Sequence, residues 1–333
     1  MTGTSAAVNR AHVVDAVRAA AGTGDVEVGA LRRCEYTKSA PLYIGTVVVD
    51  GRSADIIVKD VTRSALLPGA RQVKPAFLHD PHREPAMYRD VLGDVDGPAA
   101  YLGHHLDEST GTMLLVIEHV AGLELGDVGE FSVWVDTARW LGAFHASDAA
   151  TAAADIGLLQ HDSDLYHCWL ERAVAATGRL RSPERKRVNH VLGVYRDVAV
   201  ERLISAPSTL LHGEMYSSNV IVGGARVDGT LSDARPRICP VDWETAGLGP
   251  ALLDLAALIT GDWGPDAVDS LVGAYCESAG VVEADRCEFV GELAASQLQL
   301  AVQWLGWFVG HDPPPWQARS WVDEAESAAA RLE

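Results

Sequence analysis

The apolar positions change rhythm twice along the first third of the chain. Residues 13–21 carry the spacing of a short helix, and residues 26–61 then turn to alternating text rich in Val, Ile, Thr and Tyr. Ser39-Ala40-Pro41 and Asp50-Gly51-Arg52 cut that text into runs at about 31–37, 42–50 and 54–61. Three antiparallel strands are expected, the Asp-Gly pair suiting a tight hairpin. Asp80-Pro81 opens a helix that runs to about Leu92, with Pro85 tolerated in its first turn. Residues 99–104 and 113–119 follow as two further strands.

Beyond Gly122 the period becomes helical: Trp134, Ala138, Leu141 and Phe144 fall on one face. Helices are expected at 164–177 and 183–205, short strands at 218–222 and 237–241 around a loop at 223–236, and helices again from Leu252 to the end. The shift near residue 119 divides the chain into a sheet-rich lobe, 1–118, and a larger helical lobe, 119–333. The sequence has no internal repeat, and residues 311–315 are its one stiff linker.

Composition narrows the function classes. In 333 residues, 27 Lys+Arg stand against 46 Asp+Glu, a net charge of −19. Such a balance argues against nucleic acid as partner, because phosphates need clustered cations. A cationic or neutral small molecule fits better, although an acidic surface is more often only a solubility feature. Five scattered cysteines without a C-x-x-C pair read as reduced thiols, not zinc ligands. The N-terminus lacks the apolar core of a secretory signal, and the best membrane candidate, 250–260, is short and contains Asp254. A soluble cytoplasmic protein without a membrane partner is the expectation. Lysine occurs only at 38, 59, 74 and 186, which makes each one informative.

The most telling text is Leu210-Leu211-His212-Gly213-Glu214-Met215-Tyr216-Ser217-Ser218-Asn219, followed by Val241-Asp242-Trp243-Glu244. Glu214 and Asn219, four residues between them, can reach one reacting centre from a loop. One accepts a proton while the other ligates a divalent ion. Asp242, after a strand-like run, adds a second hard oxygen ligand of the kind Mg²⁺ prefers. These are the parts of a phosphoryl-transfer site, which positions phosphates, neutralises their charge and orients a hydroxyl.

The segment resembles the H-G-D-x-x-x-x-N catalytic loop and following metal-binding Asp of the aminoglycoside phosphotransferase-like kinases, small-molecule relatives of protein kinases. Gly249-Pro250-Ala251-Leu252-Leu253-Asp254-Leu255-Ala256 is similar to the family's G-x-P-x-x-D-L-A run, and Trp140-Leu141-Gly142-Ala143-Phe144-His145 to its L-A-x-L-H helix end. The resemblance spans about residues 54–256. It implies an α+β, bilobal protein-kinase-like fold: an N-terminal antiparallel sheet with one main helix, then a mostly helical lobe. It also implies use of ATP and Mg²⁺.

An ATP kinase needs a cation on its third strand, and Ile56-Ile57-Val58-Lys59 supplies Lys59, which shares a face with Ile57 and Val61. The alternative for Lys59 is an edge-strand charge. Its ion-pair partner by resemblance is Glu84 in Arg83-Glu84-Pro85, unless Glu84 only offsets the helix dipole. Glu118-His119-Val120 sits where the family's hinge offers backbone groups to adenine, giving Glu118 and Val120 as nucleotide contacts. His212 is expected to buttress the loop and Asp254 to fix it by accepting hydrogen bonds. Glu244 faces either the metal and acceptor or solvent. Leu293, Leu300, Trp304 and Trp307 or Phe308, with Asp262-Trp263, form either a core stripe or the rings of an acceptor pocket.

Two departures stand out. The catalytic acid is Glu214 where the family has Asp, displacing the carboxylate by about 1.5 Å. The turn 36–41 has no glycine, so Ser39, Thr37 and Lys38 would have to meet phosphates with side chains, or form an ordinary polar hairpin. The expectation is an ATP-dependent phosphotransferase acting on a hydroxyl of a small, cationic acceptor, first an aminoglycoside or amino sugar. Glu214 is the catalytic acid, Asn219 and Asp242 hold metal, and Lys59, Glu84, Ser39, Glu118 and Val120 bind nucleotide. The alternatives are a kinase for a choline-like, sugar, homoserine or biosynthetic acceptor, and a nucleotide-binding pseudokinase.

Overall fold

In the computed structural model, residues 8–35, 39–180, 182–226, 231, 235–282, 286–307 and 315–333 are described. Thr37, Lys38, Phe308 and most of the 311–315 linker lie outside them. Helix α1 (Arg10–Ala21) starts at Asn9, whose side chain accepts the Ala11 N–H, and stops at left-handed Gly22. The strand text becomes β1 (Val26–Val28), β2 (Arg32–Arg33), β3 (Leu42–Val49) and β4 (Arg52–Asp60). Asp50 and Gly51, both at positive φ, close the β3–β4 hairpin as the dipeptide predicts. The run expected at 31–37 shrinks to two residues among those described, and β1 was not anticipated. Strands of two or three residues show no readable alternation.

Two helices follow, α2 (Pro68–Val73) and α3 (Arg83–Asp90). The second is the expected lobe helix, shorter at each end. The first was missed, for six residues cannot display a helical period. Strands β5 (Tyr101–Asp107) and β6 (Thr112–Glu118) complete the sheet, in the antiparallel order β1-β3-β4-β6-β5 with β2 on β3. Alternation decides its two faces. Ile56 and Val58 of β4 pack with Val47, Leu114 and Val116 against Val13 and Val17 of α1. Ile57 and Lys59 point to the other side, with Leu115, Ile117, Met87 and Tyr88.

The second lobe contains β7 (Gly122–Glu124), α4 (Phe131–His145), the single turn α5 (Ala149–Ala152), β8 (Leu159–Gln160) and α6 (Ser163–Thr177). The helix expected at 183–205 is α7 (Ser182–Val194) and α8 (Val200–Ser205), joined by a π-helical turn at Tyr195–Ala199. After β9 (Ser208–Leu211), β10 (Val220–Gly223), β11 (Arg237–Pro240) and β12 (Gly247–Pro250) come α9 (Leu252–Leu258), α10 (Pro265–Ala279), α11 (Arg286–Trp307) and α12 (Pro315–Ala330). Two small sheets position the loops. One has the order β11-β10-β7, and the other β8-β12-β9, with β8 parallel to β12. Among the described residues no helix is long and apolar enough to cross a membrane.

Candidate active site

Lys59 is 6% exposed, and its Nζ lies 2.6 Å from Glu84 Oε2, which α3 presents from its buried first turn. The same Nζ also contacts Asp242 Oδ1, bringing two residues 183 positions apart together. Burial alone would lower the lysine's pKa, but Asp242, Glu84 and Glu244 overcome it and hold the pKa well above its ordinary value. Burial also opposes ionisation of Asp242, and Lys59 reverses this, lowering the carboxyl's pKa. Asp242 adopts φ 68 and ψ 56, a left-handed conformation unusual for a side-chain-bearing residue. The turn after it is anchored by Trp243, wholly buried, whose indole N–H donates to Pro240 O at 3.1 Å.

The loop between β9 and β10 is fixed from beneath. Asp254, in the first turn of α9, accepts the His212 N–H at 2.7 Å and the Gly213 N–H at 2.9 Å. Wholly buried His212 is aligned through Nε2 to Val241 O at 2.9 Å, while its Nδ1 accepts the Glu214 N–H at 3.3 Å. Burial lowers the His212 pKa, consistent with a neutral scaffold ring. At Gly213, φ is +86, and a Cβ would stand 2.3 Å from Thr245 O, so only glycine allows the loop to lie this close to the turn after Asp242. His145 adds a third contact to Asp254 at 3.3 Å and is itself paired with Tyr275 at 3.0 Å.

Asn219 Nδ2 donates to Glu214 O at 2.9 Å, and Val241 N–H donates to Asn219 O at 2.8 Å. The amide nitrogen is thereby committed inside the loop, which leaves Oδ1 as the donor for a cation beside Asp242. Among the described residues no three His, Cys, Asp or Glu side chains form a metal cluster. A Mg²⁺ bound with nucleotide needs only one or two protein oxygens, the phosphates and waters supplying the rest, so this donor set fits. Burial first, and then Glu244 and Asp242, push the Glu214 carboxyl up to about 8 against the pull of Lys74 and Lys59.

A cavity of about 310 Å³ opens between the lobes. Lys59, Glu84, Asn219 and Asp242 line it, as do Ser39, Glu118 and Val120, with Leu42, Ile57 and Ile221 supplying apolar wall. Glu214 is not part of that lining. Sequence reasoning missed Lys74, which follows α2, is 7% exposed, and sits 2.5 Å from Glu244 Oε1. The signal was lysine scarcity. Glu244 is accordingly an ion-paired acid, not a solvated one. Arg83, beside Glu84, donates to the carbonyls of Gly157 at 3.0 Å, Leu78 at 3.0 Å and Glu244 at 2.7 Å. In the α11 stripe Leu293 and Leu300 are buried, whereas Trp304 and Trp307 are half-buried against the core, Trp304 stacking on Trp321 while donating to the Tyr216 hydroxyl at 2.9 Å. Trp263 packs edge-on against Trp134.

The model of the phosphotransferase enzyme family matches residues 70–290. No curated protein sequence matches the chain significantly. Among solved structures, a microcompartment-associated aminopropanol kinase superposes with TM-score 0.58 at 16% identity, covering 94% of each chain. Choline kinase LicA from Streptococcus pneumoniae gives TM-score 0.58 at 15% identity, over 91% of this chain and 94% of that one. The GDP complex of wild-type aminoglycoside 2'-phosphotransferase-IIIa gives 0.57 at 14% identity, over 97% and 98%. At these identities the likeness concerns the fold.

Proposed function

The chain belongs to the phosphotransferase enzyme family, and from that premise we propose that it transfers the γ-phosphoryl group of ATP to a hydroxyl of a small, amine-bearing acceptor. The observation that carries this reading is Lys59 held between Glu84 and Asp242 in the lining of the interlobe cavity, which Asn219 shares. Lys59, steadied by Glu84, is the cation for the nucleotide phosphates, and Ser39, which shares the cavity lining, would meet them. The Glu118 and His119 N–H groups already donate to Ala100 O and Asp55 O, so Val120 is the hinge donor for the base. Asn219 and Asp242 would hold Mg²⁺, which screens the phosphate charge when bound.

Glu214 accepts the hydroxyl proton as the acceptor oxygen bonds to the γ-phosphorus and the bond to the ADP oxygen breaks. With its carboxyl pushed up to about 8, Glu214 is a stronger base than an ordinary carboxylate once ionised, so turnover should rise with pH as it gives up its own proton. Four carboxyls, Glu84, Glu214, Asp242 and Glu244, stand against two lysines, Lys59 and Lys74, and this acidic surplus favours a cationic acceptor, with an aminoglycoside or amino sugar as first candidate. The structural neighbours named as choline, aminopropanol and aminoglycoside kinases support the amine. Incubation with Mg²⁺-ATP and a panel of amino sugars, amino alcohols and neutral sugars should yield ADP dependent on an amine-bearing acceptor. Turnover confined to neutral sugars would reject the amine. Nucleotide binding without turnover for any acceptor would favour the pseudokinase reading that Glu214, in place of Asp, keeps in play.

A further inference from the structure

The base end of the cavity is braced from outside by a side chain that does not line it. Arg237 opens β11, and its guanidinium reaches four acceptors. Nε donates to Gly97 O at 2.7 Å, Nη1 to Glu118 Oε1 at 2.8 Å, and Nη2 to both Pro98 O and Glu118 Oε2, the latter at 2.9 Å. Ala100 N–H donates to the same Oε2 at 3.0 Å, and Ala100 O accepts the Glu118 N–H at 2.9 Å. The Glu118 carboxylate is therefore spent on protein partners. Gly97, at φ +113, makes the brace possible, since a Cβ there would stand 2.2 Å from Ile238 O. Ala99 and Glu118, on either side of these bonds, both line the cavity.

We propose that Arg237 is a positioning residue for the nucleotide base: by clamping residues 97–98 to Glu118 it sets the width of the slot that receives the ring system. This rests on the nucleotide-binding reading above. A bidentate fork with two further carbonyl contacts fixes orientation as well as distance, which a lysine cannot reproduce. The phosphates are handled by Lys59, Asn219 and Asp242, and Lys59 pairs with Leu115, three positions along β6 from Glu118, so the clamp acts on the base end. Because Arg237 and Asp242 belong to one strand and the turn it enters, the same rigid segment registers the base against the phosphates.

The test is calorimetric titration of the full chain with Mg²⁺-ADP and, separately, with Mg²⁺ and inorganic tripolyphosphate, which has no base. Arg237→Lys should weaken ADP about tenfold, the loss of one or two charge-assisted hydrogen bonds, and leave tripolyphosphate within about twofold. Glu118→Gln, which keeps the side chain's shape, should show the same selectivity and covers the case in which Arg237→Lys does not fold. Unchanged ADP affinity in the folded variants, or parallel loss of both ligands, overturns the clamp. A wild-type chain that binds neither ligand instead overturns the nucleotide reading on which the clamp rests.

Discussion

Lys74 and Glu244 come from opposite lobes and meet at 2.5 Å, with side chains only 6% and 15% exposed. Neither has enough water around it to stand alone as an ion. Removing one partner strands the other charge, which typically costs about 3 kcal/mol. Lys74→Met should therefore lower urea-unfolding stability by about that amount, and Lys74→Met with Glu244→Leu should recover most of it. If the double variant is no more stable than the single one, the pair is not coupled.

Lys59 is paired with both Glu84 of α3 and Asp242. Lys59→Met should reduce turnover at least about 100-fold, the scale of losing one preorganised charge at a phosphoryl-transfer centre. Steady-state ADP production measures it. Glu84→Gln, which leaves the cation but frees it to move, should have a smaller effect in the same direction.

Glu214 tests whether the longer acid is built into this loop. Glu214→Gln removes the proposed proton acceptor and should lower kcat by about 100-fold or more. Glu214→Asp keeps the charge but withdraws it by about 1.5 Å, and should also slow turnover. A faster Asp variant would mean that the loop geometry is still that of an aspartate enzyme.

His161 sits beside Gly247 and Gly249 with both ring nitrogens buried and unpaired among the described residues. Burial depresses its pKa to about 4 from the ordinary 6.5. The unfolded chain then binds a proton that the folded chain refuses. Stability is retained above about pH 6.5 and lost as pH falls towards 4, about 2 kcal/mol of it by pH 5. Urea titrations at pH 7 and pH 5 should show that difference, and His161→Leu should flatten it.

Asp254 accepts three hydrogen bonds under the catalytic loop. Asp254→Asn preserves shape but presents an N–H₂ group where an acceptor is needed, so one loop N–H loses its partner. About 2 kcal/mol of stability should go with it, together with amide-exchange protection at His212 and Gly213. Unchanged protection at those two amides would show that the loop holds itself.

The alternation of residues 42–60 determined β3, their hairpin and the face on which Lys59 lies, because a strand's side chains have a period of two whatever surrounds them. Motif spacing determined that Glu214 and Asn219 share a loop and that Asp242 follows a strand. These are local properties, carried by neighbours in the chain. What only the tertiary structure decided involves partners far apart in sequence: Lys59 with Asp242, Lys74 with Glu244, and Arg237 with Glu118. Lone charges in short or irregular segments have no period to reveal them, and Lys74 follows a six-residue helix that leaves little trace in the sequence. The fate of the α11 aromatics was decided in the same way. Their spacing favoured a core stripe over a pocket without deciding it, and contacts with Tyr216 and Trp321 leave Trp304 half-buried against the core.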